Sequence, residues 1–596
     1  MNIKQITLSA IEYLQKGDLQ YAESLFRHIL KIQPNNVSAL HFLGVIYYQR
    51  KDYNGSIEHI NKALHFGPNY ADAYNNLGIV LQETGHLEEA TVCYKKALNL
   101  NPNFSRAYYN LGNIFREKWQ LNNAIHNYQK AIQLEPNFFE AYNNIALALQ
   151  DQGLLKEAEK NYRNALQIKP DFPECYSNLL LMMHYDTRYD SKKIFYEHLR
   201  YANQLTRSFS PSVMPYNNDC SSVRRLKIGY VSPDFRRHSV AYFIEPIITT
   251  HERQSFEVIC YSDVPREKED EVTLRIQGHS DQWRNITAMS DEQVAQQIQS
   301  DQIDILIDLA GHTAFNRMPV FARKPAPIQV SWIGYPATTG LSTMDFKIVD
   351  SYTDPQGMTE KFFTEKLLRM PDSFLCYLPD KDSPEIKPLP ALSSGHITFG
   401  SFNYSSKISP DTVTLWANIL NRMPSTCLLL KSRNFVDSKT GQHIMNMFNK
   451  LDISAERIVL IPSSCSFIEH LSMYNQIDIA LDTYPYNGTT TICEALWMGV
   501  PVITLSGNTH VSRVGMSILS NAGLSNFIAE SHEQYQEIAI NTAHDFEELQ
   551  RLRTILRDKL LNSALLQKER FTRNLEHIYR DIWNTWCQSH KGGDIF

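Results

Sequence analysis

The chain has 596 residues, 43% hydrophobic and 20% charged, and at roughly 100 to 200 residues per domain this exceeds one ordinary core and points to three or more. Its 58 basic and 64 acidic residues leave a formal charge of −6 without long like-charge blocks, which argues against nucleic acid or an anionic membrane as the main partner. Nine cysteines with no C-x-x-C pair indicate neither a zinc cluster nor a disulfide framework, and no apolar run suits a signal peptide or a membrane span, so a reducing, cytoplasmic setting is expected.

The first third is periodic. Pro34, Pro68, Pro102, Pro136 and Pro170 stand 34 residues apart. Between Ala71 and Phe104 the positions Tyr74, Leu77, Gly78, Leu81, Ala90, Tyr94, Ala97 and Pro102 recur in the next unit as Tyr108, Leu111, Gly112, Phe115, Ala124, Tyr128, Ala131 and Pro136. Small residues let two antiparallel helices approach, large ones fill the space between them, and the proline stops the second helix. This pattern resembles tetratricopeptide repeats. It predicts a helical superhelix over residues 3–206, with five full units from Ile3 to Phe172 and a degenerate sixth from Pro173 that caps the array.

Asn76, Asn110, Asn144 and Asn178 hold one position in four successive units. Stacked units would align their amides as a rail for the backbone of an extended peptide, because each amide both donates and accepts. The plainer alternative is that they satisfy polar groups between helices. The first two units carry Leu8 and Phe42 at this place, so the ladder is short.

Residues 207–225 lose the pattern and accumulate Ser, Pro, Asn and Asp, as a linker does. Beyond it, apolar runs at Leu226–Val231, Phe256–Tyr261, Ile303–Leu309, Ile328–Ile333 and Phe346–Val349 alternate with helical patterns, the mark of a covered parallel sheet. A proline-rich break at Pro379–Leu392 separates a second series, Ile397–Phe402, Cys427–Lys431, Ile458–Ile461, Ile477–Leu481 and Val502–Leu505, which ends in a helical tail from about Asn562 to Trp586. Two doubly wound lobes, 226–390 and 391–590, are expected, with ligands at the carboxyl ends of their strands.

One such end carries LDTYPYNGTTTICEALWMGVPV, from Leu481 to Val502. Its grammar is strand, turn and helix, with Gly488, Thr489, Thr490 and Thr491 at the helix N-terminus, where free N–H groups and hydroxyls suit a phosphate. Glu494 lies one turn deeper on the face of Thr490, within reach of a ribose diol. A threonine N-cap with no ligand is the plainer alternative. In the same half, GSFNYSSKISPDT sets Lys407 before a helix begun by Ser409 and Pro410, which again suits a pyrophosphate. In the first half, Asp234 and His238 follow one strand, and Asp308, Gly311 and His312 another. The lone Asp-x-Asp, Asp380 and Asp382, sits in the proline-rich break, so no catalytic metal is indicated.

Taken together, KIGYVSPDFRRHSVAYF, DILIDLAGHTAFNRMPVFARKPAPIQVSWIGYPATTG, GSFNYSSKISPDTVTLWANIL, LDTYPYNGTTTICEALWMGVPVITLSG and SRVGMSIL resemble the catalytic region of O-GlcNAc transferases, glycosyltransferase family 41. With the repeats, the resemblance covers nearly the whole chain. It implies an all-α repeat superhelix followed by an α/β GT-B fold of two Rossmann-like lobes. It also implies an inverting, metal-independent transfer of GlcNAc from UDP-GlcNAc to Ser or Thr of polypeptides held by the asparagine ladder, with no cofactor beyond the donor. Lys407 would contact the diphosphate, Thr489, Thr490 and Thr491 the phosphate and sugar, Glu494 the ribose, and His470 would pack on the nucleoside. His238 corresponds to an active-site histidine, and a hydroxyl nucleophile needs a proton acceptor, for which His238 or His312 is the candidate. Arg513 receives no role.

The sequence departs from the family's eukaryotic pattern, which has histidine at Thr489, aspartate at Glu494 and glutamine at Tyr404. Similar plant proteins transfer fucose from GDP-fucose, and bacterial relatives glucosylate asparagine. Another donor, or a repeat scaffold that has lost catalysis, therefore stands beside the main expectation. Self-association is left open.

Overall fold

The computed structural model describes residues 2–207, 216–221, 223–462 and 466–591; residues 208–215 and 222 of the expected linker lie outside the described residues. The chain divides into two compact units, one of residues 1–149 with Lys156–Ile168, the other of Gln150–Leu155 with Lys169–Phe596.

In the first unit, helices of 13 and 14 residues alternate, from Ile3–Gln15 and Leu19–Ile32 through Ser105–Glu117 and Leu121–Leu134. Asn2, Asp18, Asn36 and Asp52 cap the first four through their side chains. The repeat glycines matter sterically. A Cβ on Gly78 would stand 2.6 Å from the ring of Tyr94, and one on Gly112 2.6 Å from that of Tyr128. Each glycine thus lets a wholly buried tyrosine of the second helix lie against the first.

The sixth helical pair, Pro173–Met183 and Ser191–Arg207, belongs to the second unit. His198 Nε2 and His184 Nε2 meet Tyr335 OH at 2.8 and 3.1 Å, and Ser177 Oγ lies 3.2 Å from His312 Nδ1. The boundary expected at residue 206 therefore falls near residue 169, because these helices bury polar side chains in the α/β unit.

The second unit holds two parallel sheets. The first is built from β1 (Leu226–Ser232), β2 (Phe256–Ser262), β3 (Gln282–Asn285), β4 (Ile305–Asp308), β5 (Ile328–Ser331), β6 (Phe346–Asp350) and β7 (Lys366–Met370) in the order β3-β2-β1-β4-β5-β6-β7. The second is built from β8 (Thr398–Ser401), β9 (Cys427–Ser432), β10 (Ile458–Pro462), β11 (Ile479–Leu481), β12 (Val502–Leu505) and β13 (Ile528–Ala529) in the order β10-β9-β8-β11-β12-β13. Strand order reverses at β1/β4 and at β8/β11, and in such sheets ligands bind beyond the carboxyl ends at the reversal.

The helical tail, Lys568–Lys591, does not stay with the second sheet. Phe571 stacks on Trp332 at 5.9 Å, Tyr579 OH lies 3.4 Å from Tyr230 OH, and Glu576 accepts from His251 Nδ1 at 2.9 Å. The last helix thus completes the first lobe, so the second lobe ends short of the expected residue 590.

Candidate active site

The turn after β11 is built by Asp482. Its Oδ1 accepts from the N–H groups of Gly488 at 2.7 Å and Thr483 at 2.9 Å, and its Oδ2 accepts from Thr504 Oγ1 at 2.7 Å on β12. Burial pushes the Asp482 carboxyl up to about 6, against the pull of these donors and Lys407. A Cβ on Gly488 would stand 2.3 Å from Thr491 Oγ1, so only glycine fits this corner. The turn presents Asn487 O to Lys407 Nζ at 3.1 Å, while the ammonium lies 4.2 Å from the centre of the Tyr486 ring. Lys407 ends a short turn, Ser405–Lys407, ahead of the helix Pro410–Arg422, which Ser409 caps. Burial lowers the lysine's pKa to about 8, with Asp482 opposing.

The helix Thr490–Trp497 starts as expected, and Thr489 at its N-cap makes no side-chain cap bond. A plain threonine cap is therefore not what these residues form. Thr491 Oγ1 lies 3.3 Å from Asn403 Oδ1, and among the described residues the hydroxyls of Thr489 and Thr490 have no protein partner. Two hydroxyls and the helix's free N–H groups converge beyond β11, an arrangement that suits phosphate oxygens.

Glu494 lies one turn beyond Thr490 on the same helix. It is 4% exposed, and its Oε2 accepts from His470 Nε2 at 2.9 Å and from Tyr474 OH at 3.1 Å. Oε2 thereby orients His470, while Oε1 has no protein partner among the described residues. The His470 side chain keeps 20% exposure, among Phe402, Phe467 and Tyr474. Its Nδ1 is met by Lys431 Nζ, a residue that sequence reasoning left unassigned. A charged residue at the carboxyl end of the buried run CLLLKS was the available signal.

From the first lobe, His238 follows β1 just before the helix Ala241–Thr250. Its Nδ1 lies 3.3 Å from Val240 N and 3.5 Å from Asp234 Oδ2, and its side chain is 41% exposed. The surrounding protein lowers its pKa, opposed by Asp234, which is placed to stabilise an imidazolium once the ring takes a proton. On either side of it, Arg237 covers the Phe467 ring at 5.5 Å and Tyr242 stacks on the same ring at 5.5 Å. Phe467 begins the helix that carries His470, so the two lobes bring the His238 loop against the His470 helix.

His312 does not join them. It is 1% exposed, donates from Nε2 to Thr339 O at 2.9 Å, accepts at Nδ1 from Ser177 Oγ, and burial lowers its pKa to about 4. Both ring nitrogens are spent inside the protein, which removes it as a general base. Asp308 and Gly311 shape the turn that buries it: the carboxylate accepts from Ala310 N and Gly311 N, and Gly311 takes a φ of +56°.

The ladder amides of the first unit bond backward. Asn76 Nδ2 meets His41 Nε2 at 2.8 Å, Asn110 Nδ2 donates to Asn75 Oδ1 at 3.0 Å, and Asn144 Nδ2 donates to Tyr109 OH at 3.1 Å. Each spans 35 residues, so the row ties consecutive units together. Asn144 also donates to Asn113 Oδ1 at 2.9 Å and accepts from Asn143 Nδ2 at 3.2 Å. Asn178 belongs to the second unit and is half-buried there. Arg513 bridges the lobes, from Tyr352 O at 2.7 Å to Ser506 Oγ at 3.1 Å. Among the described residues, no group of three His, Cys, Asp or Glu is placed to hold a metal ion, and no helix is long and apolar enough to cross a membrane.

Two lobes, each a doubly wound parallel sheet, with a buried lysine and two unpartnered threonine hydroxyls beyond the carboxyl end of β11, define a two-lobed α/β protein. The chain belongs to glycosyl transferase family 41, whose model matches residues 188–381 and 389–575, and tetratricopeptide models match 71–104 and 139–172. It is 38% identical over 418 residues to the tomato (Solanum lycopersicum) "Probable UDP-N-acetylglucosamine--peptide N-acetylglucosaminyltransferase SPINDLY", covering 70% of this chain and 44% of that one. It is 31% identical over 402 residues to the corresponding Arabidopsis thaliana protein SEC, covering 64% and 39%. The chain thus spans less than half the length of these curated relatives. A solved structure of a lysine-to-methionine mutant of the Thermobaculum terrenum O-GlcNAc transferase superposes with a TM-score of 0.82 at 34% identity, over 87% of this chain and 98% of that one.

Proposed function

We propose that the chain is an inverting protein O-glycosyltransferase that moves GlcNAc from UDP-GlcNAc to Ser or Thr of polypeptides bound by the repeat array. The observation that carries this reading is the buried Lys407 ammonium, fixed on Asn487 O and Tyr486 in the turn that leads to the free hydroxyls of Thr489 and Thr490. Charge develops on the departing diphosphate as the glycosidic bond breaks, and donors fixed beforehand stabilise it without reorganisation. Lys407 supplies the positive charge, and Thr489, Thr490 and the helix N-terminus hold the phosphates. His470 presents its ring to the nucleoside, and His238 takes the proton of the attacking hydroxyl, with Asp234 stabilising the resulting cation. The names of the tomato relative and of the Thermobaculum structure support GlcNAc as the sugar. No residue is assigned to a metal. Cys93, Cys260, Cys376 and Cys493 are buried free thiols, which fits work in a reducing compartment.

A second reading keeps the reaction and changes the donor to GDP-fucose or UDP-glucose. The closure of Glu494 onto His470 and Tyr474 favours weighing it, since it alters the ribose side of the pocket. Melting temperatures with each nucleotide sugar decide between them, because a ligand of the folded state raises apparent stability. UDP-GlcNAc is expected to give the largest shift. A larger shift with another donor selects the second reading, and no shift with any donor leaves only a peptide-binding scaffold.

A further inference from the structure

Lys431 stands at the carboxyl end of β9 and is 3% exposed, with its ammonium over the Phe402 ring at 5.5 Å. Removing an ammonium from water is costly, so a lysine in such a place needs strong compensation from its surroundings. Its Nζ donates to Nδ1 of His470. An imidazole that accepts at Nδ1 carries its proton on Nε2, and that N–H points to Glu494 Oε2 at 2.9 Å, which also accepts from Tyr474 OH at 3.1 Å. The His470 ring is therefore held at both nitrogens, in one tautomer and one plane. Phe402 and Tyr474 support it at 6.1 and 5.8 Å.

We propose that Lys431 is a positioning residue of the donor site, which acts through His470 by setting the tautomer and plane of the ring that faces the nucleoside. This rests on the donor-site reading above. The arrangement follows a general rule: a ring that contacts a ligand is oriented by what its other nitrogen bonds, so the supporting residue governs affinity without touching the ligand.

The test is Lys431→Met, made alone and in a His470→Ala background. In the single variant, the dissociation constant for UDP or GDP and the KM for the donor should rise about tenfold, the scale of one lost ordering hydrogen bond, with kcat at saturating donor nearly unchanged. Lys431→Arg, which keeps a cationic donor, should restore most of the loss. With His470 already replaced, Lys431→Met should add nothing. Histidine-selective 15N spectra of the full chain supply a readout that needs no nucleotide: wild-type His470 should show the Nε2–H tautomer and Lys431→Met a mixture. Additive losses in the double variant, or an unchanged tautomer in Lys431→Met, overturn the proposal. If neither nucleotide binds the wild type, the functional reading fails while the spectra still decide the role of Lys431.

Discussion

Glu494 Oε2 lies 2.9 Å from Nε2 of His470, so two residues that would each serve a different part of a nucleotide form one hydrogen-bonded unit. Removing the carboxylate leaves two buried donors, His470 N–H and Tyr474 OH, without their shared acceptor. Glu494→Ala should therefore lose about 1–3 kcal/mol of stability in denaturant unfolding, whereas Glu494→Gln, whose carbonyl still accepts, should lose less. Equal losses would show that the acceptor is not what matters.

Lys407 titrates near pH 8 because burial disfavours its charged form. Its work on the leaving group needs the ammonium, which is present below that value and lost above it. The transfer rate should accordingly fall as pH rises through about 8, and Lys407→Arg should move this limb upward. Lys407→Ala should lower kcat by about two to three orders of magnitude with an unchanged melting temperature. A flat alkaline profile in the wild type would contradict the role.

His238 and His312 separate catalysis from structure. His238→Ala should reduce kcat by about two to four orders of magnitude in a protein that melts normally. His312→Ala should transfer sugar at close to the wild-type rate but unfold at lower denaturant, having left Thr339 O without its donor and the Ser177 O–H without its acceptor. Loss of transfer in a folded His312→Ala protein would return that residue to the active site.

Asp354 links the lobes, its Oδ2 meeting His510 Nδ1 at 2.5 Å with both side chains almost wholly buried. Burial alone would raise its pKa, but His510 and the Thr359 hydroxyl outweigh it and hold the carboxyl below its ordinary value. A depressed folded pKa contributes stability that is full above the unfolded value, about 3.9, and lost as pH falls through the folded one. Unfolding titrations from pH 7 to 3 should show this loss, and Asp354→Asn should flatten it while costing about 3–5 kcal/mol at pH 7.

The ladder asparagines should divide in two. Asn144 uses both N–H groups and its carbonyl on neighbouring side chains, so Asn144→Ala should weaken the array itself by about 1–3 kcal/mol. Asn110 spends one N–H on Asn75 and keeps the carbonyl for a ligand among the described residues. Asn110→Ala should raise KM for protein acceptors and leave donor hydrolysis unchanged. Equal effects on both reactions would rule out a peptide contact there.

The helices of the repeats were legible from Gly78, Tyr94 and Pro102, because period and side-chain size act locally. The two parallel sheets were legible from apolar runs that such sheets bury on both faces, whereas the strand order that sets the reversals at β1/β4 and β8/β11 was not. Of the four edge strands only β10 was legible: QWRN in β3 and KLLRM in β7 are polar or charged, and β13 has two residues. Spacing put Lys407, Gly488 and Thr489 at a strand end, where the turn leaves few alternatives. It could not say that Glu494 and His312 turn inward, since each finds its partner on a segment distant in sequence, Tyr474 in one case and Ser177 in the other.

The return of helix Lys568–Lys591 to the first sheet has a consequence for biosynthesis. About 200 residues separate Met370, at the end of β7, from Lys568, roughly ten to forty seconds of translation. Until that helix emerges, Trp332 lacks Phe571, and Tyr230 and His251 lack Tyr579 and Glu576. A nascent first lobe therefore waits on the ribosome with part of its core uncovered until the last helix docks.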